Sequence, residues 1–81
     1  SGSAEAEPFP VEKKSRQLLR RLVEEGACAL DGLFAGSGSR SEIVATFLAL
    51  LELCRMKSVA VDEDEAGALR VSLIRLPEEA E

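Results

Sequence analysis

The chain has 81 residues, a formal net charge of -5 and 46% hydrophobic residues, with three Phe and no Tyr, Trp or His. That is enough apolar material for one small core of Leu, Val, Ile and Ala, too much for a disordered tail, and too short a chain to spare room for a catalytic cavity. The acidic balance argues against broad phosphate binding, two Cys outside any CxxC spacing and no His exclude a Cys/His zinc site, and no run approaches the roughly 20 apolar residues of a membrane span.

Ser1-Gly2-Ser3 reads as the scar of a cleaved tag, the mark of a piece cut from a longer protein. Residues 1–10, with two Pro and two Glu among small residues, read as a flexible leader. No basic stretch followed by an apolar run marks a signal peptide. From Val11 or Glu12 the pattern turns helical. Val11, Leu18, Leu19, Leu22 and Val23 recur at spacings of three, four and seven and draw one apolar face, while Lys13, Arg16, Arg20 and Glu24 fill a solvated one. Gly26 ends this helix. Residues 27–30 are a short apolar run expected as a brief strand. Asp31 is placed to cap a short helix carrying Leu33 and Phe34, and Gly36-Ser37-Gly38 breaks the chain. Those glycines precede a helix but lack the GxxxxGK spacing of a phosphate loop.

Ser39-Arg40-Ser41-Glu42 fits a capping box, in which Ser39 accepts from the N–H of Glu42 and the Glu42 carboxylate reaches back to the N–H of Ser39. A long helix follows, from Arg40 to about Met56. Val59-Ala60-Val61 is a short strand, residues 62–67 an acidic turn, and Leu69, Val71 and Leu73 alternate with Arg70 and Ser72 as in a half-buried strand. Residues 77–81 are a charged tail expected to fray. Three helices, a hairpin flanking the third, and residues 27–30 completing a small antiparallel sheet make an α+β winged helix over residues 11–76. Cys28 and Cys54 lie in apolar surroundings and are expected as buried, reduced thiols, which suits the cytoplasm.

The long helix carries most of the functional information. At about 100° per residue, Ile43, Phe47, Leu50 and Cys54 fall at the centre of one face. Val44, Leu48 and Leu51 widen the apolar arc on one side and Leu53 on the other. The arc spans roughly 200°, about twice the stripe a simple amphipathic helix needs. Either the rest of this small domain covers it all, or one flank docks on a partner or on a second copy; the width of the arc favours a partner. The alternative function for such a fold is nucleic-acid binding, with this helix in the groove. Its polar positions, Ser41, Glu42, Thr46, Glu52 and Arg55, and the acidic turn at 62–65 count against that. Acid–base catalysis without His would fall to carboxylates, Lys or Cys. The carboxylates at 62–65 stand on a solvated turn without the distal Glu of a calcium loop, and Cys54 has no His to activate it. The chain therefore reads as a binding domain and not an enzyme, with no cofactor or metal.

The run Ser39-Arg-Ser-Glu-Ile-Val-Ala-Thr-Phe-Leu-Ala-Leu-Leu-Glu-Leu-Cys-Arg-Met-Lys57 resembles the signature of the C-terminal domain of ScpA, the bacterial kleisin family. Its members carry Ser-Arg-x-Glu-Val-Val-x-Thr-Phe-Leu-Ala-Leu-Leu-Glu-Leu followed by a basic turn. Leu33-Phe34 and residues 59–71 resemble the family's Leu-Phe pair and final hairpin, and the resemblance covers about residues 11–74. It departs at the wing, where Ala66 and Ala68 flank Gly67 in place of Phe and an acidic residue, and at Leu30, where an aromatic is common. The resemblance implies a winged-helix module that caps the ATPase head of an SMC protein, in a cytoplasmic, nucleoid-associated complex for chromosome condensation and partition in the cell cycle. It implies ScpB as a partner of the middle of such a kleisin, and no direct nucleic-acid contact or membrane. By position in that motif Phe47 and Leu51 are the expected anchors, with Val44 beside them, while Arg40, Arg55 and Lys57 read from the sequence as a sparse basic set, rim charges or helix-end complements.

Overall fold

The helix expected from Val11 spans Val11–Glu25 (α1) and stops where Gly26 turns the backbone to φ 79°. A computed structural model of the chain describes residues 8–78; the tag scar, leader residues 1–7 and tail residues 79–81 of the sequence reading lie outside the described residues. Beyond α1 come β1 (Ala27–Ala29), α2 (Leu30–Phe34), α3 (Arg40–Arg55), β2 (Val59–Glu63) and β3 (Leu69–Leu73). The strands form one antiparallel sheet in the order β1-β3-β2, with Val71 opposite both Cys28 and Val61. Three helices and this small sheet are the α+β winged-helix arrangement. Leu18, Leu22, Leu33, Ala49, Leu50, Leu53, Val59 and Val71 make one core between the helices and the inner face of the sheet. No helix among the described residues is long and apolar enough to cross a membrane.

Gly26 is where local conformation meets the fold. Its N–H donates to Leu22 O at 2.7 Å, and its carbonyl accepts from Leu73 N at 3.0 Å, tying the end of α1 to β3. A Cβ at this position would meet nothing within 4 Å, so the cost of Gly26→Ala is conformational alone. Urea denaturation is expected to show a loss of about 1–3 kcal/mol, with the helical content unchanged.

Several local expectations are corrected. Val23 is not part of the covered face of α1 but exposed, whereas Lys14, which the sequence pattern assigned to neither face, is buried. On α1 the inward row is Lys14, Leu18 and Leu22, spaced four apart, and Val23 lies about 100° from Leu22. Asp31 does not cap α2: the cap position is Ala29, with no side-chain hydrogen bond, and Asp31 sits inside the first turn. β2 is two residues longer than expected, so Asp62 and Glu63 belong to the strand and the turn begins at Asp64. The Asp64 carboxylate accepts from the N–H groups of Ala66 and Ala68, both at 2.9 Å, and so stabilises the turn itself. Cys28 is buried and free, and Cys54 is free but only half-buried. Burial pushes the Cys28 thiol above its usual range.

Phe9, assigned to the leader, is held. Its N–H donates to Ser41 Oγ at 2.6 Å, and its ring lies 5.0 Å from the Lys14 ammonium, within cation–π range. The start of α1 is thereby stapled to the start of α3.

Candidate functional site

The capping box of α3 forms with one change of partner. Ser39 Oγ accepts from Glu42 N at 3.1 Å as expected. The Glu42 carboxylate, however, accepts from the N–H of Gly38 at 2.8 Å, not from that of Ser39. Its other oxygen takes the Lys14 ammonium at 2.7 Å. A tertiary partner thus shares the carboxylate with the helix end and anchors α3 on α1. The Gly38 N–H and the Lys14 ammonium, in that order, hold Glu42 below the usual carboxylate value of 4.5. A depressed pKa means that its contribution is complete above the unfolded value and is lost as pH falls through the lower folded one. Wild-type Tm is therefore expected to drop by more than that of Glu42→Gln as pH falls below about 4.5, and parallel curves would remove Glu42 from acid unfolding.

Thr46 is wholly buried and its hydroxyl donates to Glu42 O at 2.8 Å. Ser41, Glu42 and Thr46, three of the polar groups a groove-reading helix would present outward, are thus turned toward the protein's own elements. The face of α3 that meets solvent is apolar between Arg40 at one end and the Glu52–Arg55 pair at the other.

That face is the candidate site. The buried side of α3 carries Ala45, Thr46, Ala49, Leu50 and Leu53, packed against α1, α2 and β2. This corrects the sequence-based centre at Ile43, Phe47, Leu50 and Cys54. The side chosen for the core is the one with Ala45 and Ala49, whose small side chains admit close approach of a neighbouring element. The bulkier residues are left outside: Phe47 is 54% exposed, Leu51 51% and Val44 50%, with Ile43 and Leu48 also exposed. Phe47, Leu51 and Val44 fall within about 60° of one another around the helix axis, and Val44 to Leu51 spans roughly 10 Å along it. The strip thus stands nearly opposite the core side.

Arg40 and Arg55 are both exposed, at the first and last residues of α3, and helical spacing puts them on the same side as the strip. Arg55 is held by two hydrogen bonds to Glu52, which lower the carboxylate's pKa and raise that of the guanidinium. The five residues read from the sequence therefore share one face: three apolar groups in a row with a cation at each end. Ile43, at the centre of the apolar face in the sequence reading, joins the exposed set. Among the described residues no group of three or more His, Cys, Asp or Glu is arranged to hold a metal ion.

No family model and no solved structure matches the chain. Curated relatives do. Segregation and condensation protein A of Lactococcus lactis subsp. lactis (strain IL1403) is 35% identical over 60 residues. The proteins of the same name from L. lactis subsp. cremoris are 35% (strain SK11) and 33% (strain MG1363) identical over the same length. Each alignment covers 74% of this chain and 25% of the relative, so the chain spans about a quarter of the length of the curated relatives it matches. With the winged-helix fold and the run from Ser39 to Lys57, these similarities place the chain in the segregation and condensation protein A family, as a match to its C-terminal part.

Proposed function

We propose that this chain is the part of a kleisin that docks on the ATPase head of an SMC protein and so links that head to a chromosome segregation and condensation complex. The name shared by the relatives supports the broader role. The docking reading rests on one observation: Val44, Phe47 and Leu51 form a half-exposed apolar strip on the side of α3 turned away from the core. Burying Phe47 and Leu51 in a partner contributes roughly 1.5–3 kcal/mol each, the scale of interface hot spots. Arg40 and Arg55 flank the strip as rim charges that orient the partner more than they hold it. The domain acts as an adaptor without chemistry of its own, and ScpB is contacted by a part of the longer protein outside this chain. The complex is placed at the nucleoid.

The test is calorimetric titration of the chain into an SMC head from the same organism. A saturable one-to-one isotherm is expected. No heat and no co-elution at about 100 μM of each protein, where even a weak specific complex is populated, would sink the reading.

A further inference from the structure

Two other surfaces of the molecule are unsatisfied, and they complement each other. The first is a shallow groove of about 430 Å³ along the outer side of α1, lined by Leu19, Val23 and Leu76 with Arg16, Arg20 and Glu24 around them. Val23 is 56% exposed and Leu76 57%. Among the described residues neither Arg16 nor Arg20 is paired with a carboxylate; the ion pairs there are Lys14–Glu42, Arg21–Glu25 and Arg55–Glu52. The groove is thus apolar along its floor and net basic at its edge, where Arg16 and Arg20 outnumber Glu24, in a chain of net charge -5.

The second surface is the wing. Residues directly opposite in an antiparallel pair share a face, so Val59, Val61 and Glu63 lie on the same face as Leu73, Val71 and Leu69. Val59 and Val71 are buried, but Val61 and Leu69 are exposed. The inner face of the hairpin therefore runs out past the helices that cover its base. Asp62, Glu63, Asp64 and Glu65 are all exposed around this overhang. The wing is an apolar projection edged with four carboxylates and with Arg70 opposite Asp62, and among the described residues no element covers it.

We infer that the wing of one copy seats in the α1 groove of a second copy, with Val61 and Leu69 over Leu19, Val23 and Leu76, and with Arg16 and Arg20 facing the wing carboxylates. Each half is apolar at its centre and charged at its edge, and the charges are opposite. The contact uses neither Phe47 nor Leu51, so a partner on α3 and a second copy on α1 do not compete for the same residues. A contact between two different surfaces either closes into a small ring or runs on as a chain of copies.

Sedimentation velocity of the 81-residue chain tests this. Over about 10 μM to 1 mM the weight-average mass is expected to rise at low salt and to fall toward the monomer at high salt, as screening requires. Arg16→Glu/Arg20→Glu and Asp62→Lys/Glu63→Lys/Glu65→Lys, which keeps Asp64 for the turn and makes the wing net positive, are each expected to remain monomeric. Mixing the two variants restores association, because the reversed groove now meets a reversed wing, and Phe47→Arg associates like the wild type. A wild-type chain that stays monomeric throughout overturns the inference. So does a mixture of the two charge variants that stays monomeric, or self-association that Phe47→Arg abolishes, which would move the contact to α3.

Discussion

Phe47→Arg is expected to leave the domain folded and to weaken binding to an SMC ATPase head by about thirtyfold or more, which corresponds to about 2 kcal/mol. The side chain is half-exposed on the outer side of α3, so an arginine there reaches water in the free domain without displacing any core group, and surface changes of this kind usually alter stability by less than about 0.5 kcal/mol. In the docked state the same arginine would lie where an apolar ring is removed from water, between Val44 and Leu51. A desolvated, unpaired guanidinium then opposes the contact in addition to the lost apolar burial. Leu51→Ala should act in the same direction but less strongly, since it only removes contact area. Circular dichroism checks the fold and calorimetry the affinity. If Phe47→Arg binds as tightly as the wild type, α3 is not the docking surface. If it unfolds, Phe47 is supporting the core and the strip has been misread.

The second large effect is on stability. Leu22 is fully buried, the last residue in the inward row of α1 and in the same cluster as Leu18, Ala49, Leu53 and Val71. Leu22→Ala is expected to cost about 2–5 kcal/mol, the range for emptying a leucine site in a close-packed core. A domain of this size has roughly 4–12 kcal/mol in total, so the substitution removes a large fraction of the stability, and Tm is expected to fall by on the order of 10–25 °C. Leu51→Ala deletes the same atoms from an exposed position and should leave Tm within about 3 °C of the wild type. Thermal melts of the two variants therefore separate core from surface on one residue type. Equal losses would mean that the outer side of α3 is covered within this chain.

Much of this could be read along the chain. The order of elements, the winged-helix class, the ends of α1 and α3 and the pairing of residues 27–29 with the hairpin all follow from signals that act locally. Ser39 has a free N–H within reach, Gly26 is compatible with a positive φ, and alternation marks β3. The excess of apolar residues around α3 was also legible, because it exceeds what one buried side requires. What escaped were the choices between equivalent neighbours. Lys14 and Lys13 are alike in sequence, yet only Lys14 faces α3 and finds Glu42. Glu42 was expected at the N–H of Ser39, but Lys14 and the N–H of Gly38 together offer a better pair of donors. Thr46 reads as an outward polar group until a backbone acceptor on its own helix lets its hydroxyl be buried.

The sequence by itself determined that α3 has more apolar circumference than one buried side requires, that no His-based site exists, and that the wing is acidic. Those properties depend only on composition and on the roughly 3.6-residue and two-residue periods of helix and strand. Which side of α3 is core was settled only in three dimensions. Packing places Ala45 and Ala49 inward and leaves Phe47, Val44 and Leu51 outward, because close-packed interiors select by shape and volume as well as by hydrophobicity. A periodic pattern reports how wide an apolar arc is, but it carries no information about which neighbour comes nearest to each part of it.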